Sequence, residues 1–387
     1  MKVYLDNGAT TQVDEKVKTA MEKYFSESYG NPSSLHGFGV EAKIVLEKAR
    51  RVIADSINAF PEEIFFTSGG TEANNWALKG LAFANRGKGN HIVTTKVEHK
   101  SVLESCKWLK RNGFRVSYVG VDSEGFVKLS ELEREITDET ILVSIIHGNN
   151  EIGTINNLEK VGEVCRKRQV YFHSDACQSF TKTELDVKKM NLDLVSLNSH
   201  KIHGPKGVGV LYASGEVKLD EWQHGGGQEK GMRSGTENIS GIVGFVEAVK
   251  LALNEEHILK MEKLRNKLIE KVLEIPNVKL NGPVGDKRLC NNVNFSFRFI
   301  EGEAIVGMLD LLGVCASTGS ACAEKTLEPS YVLKAIGLDD ENANGSLRLS
   351  LSRFTNDMEV DYLLRVLPKV VSRLREISPF GEEECLQ

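Results

Sequence analysis

The chain has 387 residues, 41% of them apolar, and its 49 basic and 54 acidic side chains leave a formal net charge of −5. At roughly 100–200 residues per domain, this length predicts either two or three domains or one large and one small domain. A mildly acidic chain without a block of Lys or Arg is not expected to bind nucleic acid or a membrane surface, and no apolar run reaches the ~20 residues that cross a bilayer.

Cysteine usage and the first residues of the chain bear on its compartment. The seven cysteines are scattered over a long sequence, a pattern that does not predict a disulfide framework. The opening Met1–Asp6 has the pattern of a strand and lacks the layout of a signal or transit peptide. We therefore expect a soluble protein of the cytoplasm.

Short apolar runs alternate with longer helical patterns between about residues 40 and 215. Apolar residues at helical spacing predict helices over Thr71–Phe83, Ser101–Arg111 and Leu158–Arg168. The apolar runs around them predict strands over Glu62–Ser68, His91–Thr95, Ile141–Ile146, Val170–His173, Leu192–Leu197 and Val208–Tyr212. This alternation predicts an α/β domain built on a mostly parallel sheet.

The pattern changes after the glycine-rich stretch at residues 225–235. Ile239–Ile275 predicts one long helix of about ten turns, a length that is typical of a helix bridging two domains. Isolated strands and helices then indicate a smaller α+β domain: Val293–Phe297, Ala304–Leu311, Ser346–Leu351 and Val360–Ile377. We place the large domain at residues 13–255 and the smaller one at residues 1–12 plus 256–387.

Chemically active side chains follow several predicted strands, at the sheet edge where ligands of open α/β sheets bind. The turn before Thr71 offers N–H groups and a hydroxyl that suit a phosphate, although Thr71 is also an ordinary N-cap residue. Asp175 would be costly at the end of a buried strand unless it pairs with a cationic ring nitrogen, a metal or an arginine. Lys201 could form a Schiff base if burial lowers its pKa, whereas Lys206 lies in a predicted exposed turn.

Together these three features match the needs of pyridoxal phosphate, which requires a phosphate anchor, a partner for its ring nitrogen and a covalent tether. A metal site is the competing interpretation. Its candidate ligands are four histidines that show none of the ligand spacings typical of zinc sites: His99, His147, His173 and His200.

Over nearly its whole length the sequence resembles the cysteine desulfurases of the class V aminotransferase family, in particular their housekeeping and nitrogen-fixation branch. The resemblance rests on motifs in the same order, which are Leu5–Thr11, Gly30–Ser34, Gly70–Asn75, Glu98–Lys100, Asn149–Gly153, Ser199–Lys201, Gly204–Gly207, Arg233–Thr236 and Ser317–Cys322. It implies the type I fold of pyridoxal phosphate enzymes, with a large α/β domain and a smaller α+β domain.

The resemblance also implies a role for individual residues. Lys201 would hold the cofactor as a Schiff base and move the α-proton of the substrate, Asp175 would pair with the ring nitrogen, and His99 would stack on the ring. The remaining contacts to the cofactor would come from Gly70, Thr71, Asn150, Gln178, Asn198, Ser199 and His200, and from Thr236 of a second subunit. Asn31 and Arg348 would bind the substrate carboxylate, for which a planar guanidinium is suited.

The sequence departs from the family pattern in the phosphate-binding segments. Asn198 stands where a serine is usual, with Ser199 after it, so either of the two could contact the phosphate. Gly70 stands where alanine is commoner, and Gly8 likewise replaces a small or polar residue. Neither glycine is expected to alter the chemistry.

Cys322 lies among small and polar residues, which predicts an exposed thiol. The resemblance implies that this thiol attacks the substrate sulfur, becomes a persulfide and must move to deliver it. The surrounding run, with Leu327–Tyr331 after it, resembles the branch with a long cysteine loop. No resident metal is expected, although Cys322 could ligate a nascent iron–sulfur cluster transiently.

The expected function is therefore a desulfurase that takes L-cysteine, works as a homodimer and passes sulfur to an acceptor or iron–sulfur scaffold protein. Selenocysteine lyase and cysteine sulfinate desulfinase share the cofactor-binding residues and can dispense with the acceptor thiol. A non-catalytic docking module is the third interpretation, and the joint presence of Lys201, Asp175, His99 and Cys322 speaks against it.

Overall fold

The computed structural model describes residues 1–319 and 329–379. In chain order the described strands are β1 (Val3–Tyr4), β2 (Ile64–Thr67), β3 (His91–Thr95), β4 (Arg115–Val119), β5 (Thr140–Ser144), β6 (Tyr171–Asp175), β7 (Leu194–Asn198), β8 (Gly209–Ala213), β9 (Val278–Leu280), β10 (Asn292–Phe297), β11 (Val314–Cys315) and β12 (Ser346–Ser350). The described helices are α1 (Glu15–Ser26), α2 (Gly37–Asp55), α3 (Gly70–Ala84), α4 (Lys100–Arg111), α5 (Leu129–Glu135), α6 (Leu158–Arg168), α7 (Ile239–Ala252), α8 (Glu255–Val272), α9 (Gly302–Leu311), α10 (Tyr331–Ala335), α11 (Asp340–Asn344) and α12 (Asp357–Ile377).

The main sheet has the strand order β2-β8-β7-β6-β5-β3-β4. Strands β3 to β7 pair in parallel, and β8 pairs antiparallel with both β7 and β2. The prediction of an α/β fold with a mostly parallel sheet is therefore confirmed. Because β5, β6 and β7 run in the same direction, the residues that follow their carboxyl ends meet at one edge of the sheet.

Helices cover both faces of this sheet, which explains why its strands have continuous apolar runs. Neighbouring residues of β8 show the two layers. Val210 packs with buried residues of α1, α2, α6 and α7, and Leu211 packs with those of α3 and α4. The sheet is thus buried on both sides, and ligand access is left to its edges.

A second, antiparallel sheet has the order β12-β10-β9 and packs against α8, α9 and α12. The short pair β1–β11 adds Val3 and Val314 to the same apolar cluster. The first strand of the chain therefore packs with its last third. The boundaries at residues 12/13 and 255/256 stay a prediction.

One helix prediction is wrong. Instead of a single helix over Ile239–Ile275, α7 ends at Ala252 and α8 begins at Glu255. Asn254 has an extended backbone between them, and its side chain accepts a hydrogen bond from the N–H of Glu256 at 2.9 Å. Asparagine is favoured as an N-cap because its side chain replaces a backbone acceptor. The apolar periodicity on both sides conceals this break.

The other helix predictions are confirmed with small changes at their ends. Thr71–Phe83 is found as α3, Ser101–Arg111 as α4 and Val360–Ile377 as α12, which begins three residues earlier. Asn356 and Glu359 form a capping box there, which accounts for the earlier start. Within the two described ranges, none of the helices combines the length and the apolar character needed to cross a membrane.

Candidate active site

A cavity of about 510 Å³ opens at the edge where β5, β6 and β7 end. Its walls come from the N-terminal segment Gly8–Thr10, the first turn of α3, the strand ends and Arg348 of β12. Most of the sequence-predicted site residues line it, namely Gly70, Thr71, His99, Asn150, Asp175, Gln178, Asn198, His200, Lys201 and Arg348. Cys322 lies outside the described residues.

Asp175 is the last residue of β6 and belongs to a chain of hydrogen bonds. One carboxylate oxygen accepts from the amide of Asn74 at 2.6 Å, and the other accepts from the N–H of Cys177 at 3.0 Å. The Asn74 amide also donates to the hydroxyl of Ser101 at 2.8 Å, and that hydroxyl lies 2.7 Å from Nδ1 of His99. The buried carboxylate is thus compensated by hydrogen bonds rather than by a cation.

The same chain of hydrogen bonds orients His99, which is the N-cap residue of α4. Its Nδ1 accepts a hydrogen bond from the N–H of Ser101 at 3.2 Å, so this nitrogen carries no proton. The proton of the neutral ring therefore lies on Nε2. The imidazole is held at two points and presents one defined tautomer to the cavity.

Lys201 follows β7 and reaches the N-terminal segment. Its Nζ donates hydrogen bonds to the carbonyl oxygens of Gly8 and, at 2.6 Å, of Ala9. Burial, together with the nearby charge of Arg348, lowers the pKa of this amine to about 8. An amine with this pKa is far more often neutral near physiological pH than an ordinary lysine, which a nucleophilic or basic lysine requires.

The first turn of α3 forms the opposite end of the cavity. Its N–H groups have no partners within the helix and point toward the N-terminal end, where an anion is stabilised. Gly69 has a φ of 153°, which glycine adopts without strain. The start of the helix is held by Glu72, which pairs with Arg233 at 2.8 Å and accepts from the N–H of Ser68 at 2.7 Å.

Gly70 approaches the strand ends closely. A Cβ atom at this position would lie 2.4 Å from the sulfur of Cys177 and 3.4 Å from the amide nitrogen of Asn198. The glycine that departs from the family pattern therefore accommodates a cysteine side chain beneath it. Asn198 lines the cavity, whereas the hydroxyl of Ser199 is buried outside it and has no partner among the described residues. Of the two residues, the geometry therefore favours Asn198 as the one that would contact the phosphate.

Arg348 enters the cavity from the second sheet. It is 2% exposed, and it donates to the backbone oxygen of Asn150 at 3.2 Å and to the carboxylate of Asp6 at 3.0 Å. Within the described part of the chain, its Nε has no hydrogen-bond partner, and neither does the buried side-chain oxygen of Asn150. This wall of the cavity can therefore form further hydrogen bonds to polar groups of a ligand.

Asn31 and Thr236, both assigned to the site by the resemblance, do not line the cavity of this chain. Asn31 is exposed ahead of α2, where its side chain accepts from the N–H of Ser33 at 2.9 Å. Thr236 is exposed in the loop between Arg233 and α7. In the described chain, neither side chain reaches the cavity.

Two contributors were missed from the sequence. The carbonyl oxygen of Gly8 accepts from both Lys201 and Gln178, the latter at 2.9 Å, and a backbone acceptor has no signature in residue type. Asn74 lies one helical turn after Gly70, on the buried face of α3. That spacing could have identified it, because a polar residue on a buried helical face needs a partner.

Two histidines of the metal interpretation, His147 and His173, have serine hydroxyl groups as partners. The hydroxyl groups of Ser144 and Ser196 lie 2.8 and 3.1 Å from the two ring nitrogens of His173, and Ser179 lies 2.9 Å from Nδ1 of His147. Outside residues 320–328 and 380–387, no three His, Cys, Asp or Glu side chains are grouped as a metal ion would require.

Comparison with known proteins finds similar sequences and similar structures. A cysteine desulfurase IscS of Clostridium botulinum strain Hall is 50% identical over 386 residues, covering 99% of this chain and 97% of that protein. A solved structure titled NifS-like protein is 41% identical, with a TM-score of 0.91 over 97% of this chain and all of the other. A structure titled SspA in complex with cysteine is 36% identical, with a TM-score of 0.82 over 92% of this chain and all of the other.

The family model named aminotransferase class-V matches residues 3–363. This match covers both sheets and every wall of the cavity described above. It confirms the resemblance and the fold type that the motifs predict. The chain belongs to the class-V aminotransferase family, and it matches at full length a relative that is named a cysteine desulfurase.

Proposed function

We propose that this chain is a pyridoxal phosphate-dependent L-cysteine desulfurase, which converts cysteine to alanine and passes the sulfur to acceptor proteins for iron–sulfur clusters or other products. One observation carries the proposal: Lys201, Asp175 and the first turn of α3 line a single cavity. The full-length similarity to cysteine desulfurases and to a structure holding cysteine supports the choice of substrate.

The cavity fits the cofactor in its donor set as well as in its volume of about 510 Å³. Lys201 would hold the cofactor covalently, and Asp175 would pair with the ring nitrogen. The phosphate would lie against Gly70, Thr71, Asn198 and His200 at the first turn of α3. His99 would cover the ring, and Gln178 and Asn150, whose amide oxygen is buried without a partner among the described residues, would contact its polar substituents.

When bound, pyridoxal phosphate supplies an electron sink for the α-carbon of the substrate. The protein residues bind and move protons around that chemistry. Arg348 binds the substrate carboxylate in a bidentate manner, aided by Asn31. The neutral amine of Lys201 takes the α-proton, and its hydrogen bonds to the carbonyl oxygens of Gly8 and Ala9 support its positioning by the N-terminal segment.

Cys322 carries out the transfer of sulfur from the substrate. Its thiolate forms a bond to the substrate sulfur while the carbon–sulfur bond breaks, and the electron pair of that bond goes to the carbon fragment. The fragment leaves as alanine after protonation, and Cys322 keeps the sulfur as a persulfide. A sulfur-acceptor or iron–sulfur scaffold protein then takes it, and Cys322 could ligate a nascent cluster transiently.

Substitution of Cys322 tests this proposal. The Cys322→Ser variant should still change the absorbance of the bound cofactor when cysteine is added, but it should form almost no persulfide or sulfide. The matched control is Cys315→Ser, which alters a thiol of β11 and should keep wild-type turnover. Wild-type-like turnover in Cys322→Ser would refute the assigned nucleophile. Turnover of selenocysteine or cysteine sulfinate but not of cysteine by the wild-type protein would favour the two related activities.

A homodimer is part of the proposal. Large apolar side chains are exposed between residues 25 and 44, on α1, α2 and the loop that joins them: Phe25, Tyr29, Leu35, Phe38, Val40 and Ile44. A patch of this kind indicates a protein interface. A second copy there would also account for Asn31 and Thr236, which lie outside the cavity of their own chain. We expect a dimer by native mass spectrometry, and a monomer with full activity would contradict the role of Thr236.

The proposed location is the cytoplasm. The cysteines that the structure describes are free thiols, and all but Cys315 are buried. Thiols that remain unpaired are typical of a reducing compartment.

A further inference from the structure

Glu151 is a buried carboxyl group that the proposed reaction does not use. It is 0% exposed and follows Asn150 in a tight turn, where the side chain of Asn149 accepts from the N–H groups of Glu151 and Ile152. Burial raises the pKa of Glu151. A carboxyl group in such a place costs stability, so its contacts should explain why it is there.

Its contacts lead to the residues that flank Cys322 in the sequence. One oxygen of Glu151, Oε2, accepts a hydrogen bond from the hydroxyl of Ser330 at 2.5 Å. On the other side of residues 320–328, Gly319 approaches the same oxygen. A Cβ atom at Gly319 would lie 2.6 Å from Oε2 and 3.0 Å from the Cβ of Ser330. The carboxyl group therefore contacts both flanking segments at once.

A second contact joins the first flank to the substrate wall. The backbone of Ser317 pairs with that of Arg348 through hydrogen bonds of 2.7 and 3.2 Å. The positive charges of Arg348 and Lys100 also act on Glu151 and favour its ionised form. Glu151 thus lies between the substrate-binding wall and the two segments that flank Cys322.

We propose that Glu151 is a positioning residue for sulfur transfer, because its carboxyl group holds Ser330 and Gly319 together beside the wall that carries Arg348. This inference rests on the proposed function. Glu151 does not bind the cofactor or the substrate. Instead, it fixes the positions of Gly319 and Ser330, the two residues that flank the Cys322 segment, relative to the substrate sulfur. Small displacements of a reacting group slow a reaction strongly.

The inference predicts a split between substrate binding and sulfur transfer. Glu151→Ala removes the acceptor of the Ser330 hydroxyl and leaves a gap beside Gly319, so transfer should slow by about tenfold or more. Glu151→Gln keeps an oxygen that can accept from Ser330 and should restore transfer to within about threefold of wild type. Cysteine should change the cofactor absorbance with near-normal affinity in both variants, because Arg348 and Lys201 are intact.

The measurement is a single turnover of the holoenzyme. The protein is mixed rapidly with cysteine and quenched with an alkylating reagent, and the persulfide on the Cys322 peptide is quantified by mass spectrometry. The rate at which iodoacetamide alkylates Cys322 without substrate gives a second readout that does not depend on turnover. Asp193→Asn is the matched control. Asp193 is a half-buried carboxyl group that accepts from the N–H of Phe172 at 2.7 Å, at the opposite edge of the sheet.

Three outcomes would overturn the inference: wild-type transfer in Glu151→Ala, an equal loss of cysteine binding and transfer, or no recovery in Glu151→Gln. If Glu151→Ala does not fold, Ser330→Ala and Gly319→Ala replace it, since each disturbs one of the two contacts and should slow transfer selectively. Normal transfer in both of these variants would also overturn the inference. A wild-type protein that forms no persulfide from cysteine would refute the proposed function instead.

Discussion

The two halves of the cavity differ in how their charged side chains are paired. On the side built by the main sheet, Asp175 accepts two hydrogen bonds and Lys201 donates two. On the side that faces the second sheet, Nε of Arg348 is buried and has no partner among the described residues, while its terminal nitrogens donate to Asn150 and Asp6. The two charged side chains of the first half are thus hydrogen-bonded on their charged atoms before a ligand binds, whereas Arg348 keeps one donor unpaired.

This difference corresponds to what each half is proposed to bind. A cofactor that stays through many turnovers is best served by groups that are already oriented, because no reorganisation is then needed during the reaction. A substrate and a sulfur acceptor come and go. A buried polar atom without a partner costs about 1–3 kcal/mol, which a carboxylate recovers when it binds there. The predictions below test this division.

Removal of the tether is expected to have the largest effect. Lys201→Ala should lose covalent attachment of the cofactor and reduce cysteine turnover by at least about 10³-fold, since both the tether and the base are gone. Borohydride reduction of the holoenzyme followed by peptide mapping identifies the modified lysine. Lys206→Ala is the matched control and should keep the label at position 201. A label at Lys206 in the wild-type protein would contradict the assignment.

The pH dependence of Lys201 gives the next largest effect. Its pKa of about 8 means that the amine is neutral above pH 8 and gains a proton as the pH falls through that value. At pH 7 its neutral fraction should exceed that of an ordinary lysine by roughly 300-fold. Reductive methylation of the cofactor-free protein, followed residue by residue, should show Lys201 reacting well ahead of the surface lysines. Equal rates at pH 7 would show that burial does not depress this pKa.

Arg348→Lys tests the other half of the cavity. A lysine keeps the positive charge but loses the planar pair of donors that a carboxylate accepts. We expect the KM for cysteine to rise by about 10–100-fold while the cofactor stays bound with its usual absorbance. Loss of the cofactor in this variant would mean that the two halves are not separate in function. Steady-state kinetics with a parallel measurement of bound cofactor distinguishes these results.

The sequence predicts which segments meet at the cavity better than it predicts which side chains enter it, for a physical reason. Asp175 and Lys201 follow apolar strand runs, and parallel strands bring such residues to one edge of the sheet. The position of Asn198 relative to Ser199 depends on which way each side chain points at a strand end, and residue type alone does not give that. Asn31 and Thr236 lie outside the cavity of their own chain, and their proposed roles depend on a dimer that residue patterns within one chain do not describe.

Contacts between distant segments explain the rest of what was missed. The Gly8 carbonyl and Glu151 act through pairings made across nearly 200 residues of sequence, with Lys201 and Ser330 respectively. The break at Asn254 was missed for the opposite reason, because its signal is local but weaker than the apolar periodicity around it. Periodicity reports which face of an element is buried, whereas caps and backbone acceptors depend on single atoms.

Gly70→Ala should have the smallest effect. It tests whether the cofactor-binding side of the cavity is already formed before the cofactor binds. A Cβ there would lie 2.4 Å from the sulfur of Cys177, a side chain that is itself buried. Alanine favours a helix over glycine by up to ~1 kcal/mol, but overpacking of this kind typically costs about 1–3 kcal/mol. We therefore expect a modest net loss of stability, together with weaker binding of the cofactor because the first turn of α3 is displaced.

A double variant identifies the cause of that loss. Cys177→Ala removes the sulfur, so Gly70→Ala should cost little in its presence, and the two substitutions should couple by more than about 0.5 kcal/mol. Denaturant unfolding of the cofactor-free protein and titration with the cofactor measure the two effects separately. Additive costs would show that the clash is relieved by a shift of the helix rather than by contact with Cys177. In that case the first turn of α3 would be adaptable, and the cofactor half would be less rigid than its hydrogen bonds indicate.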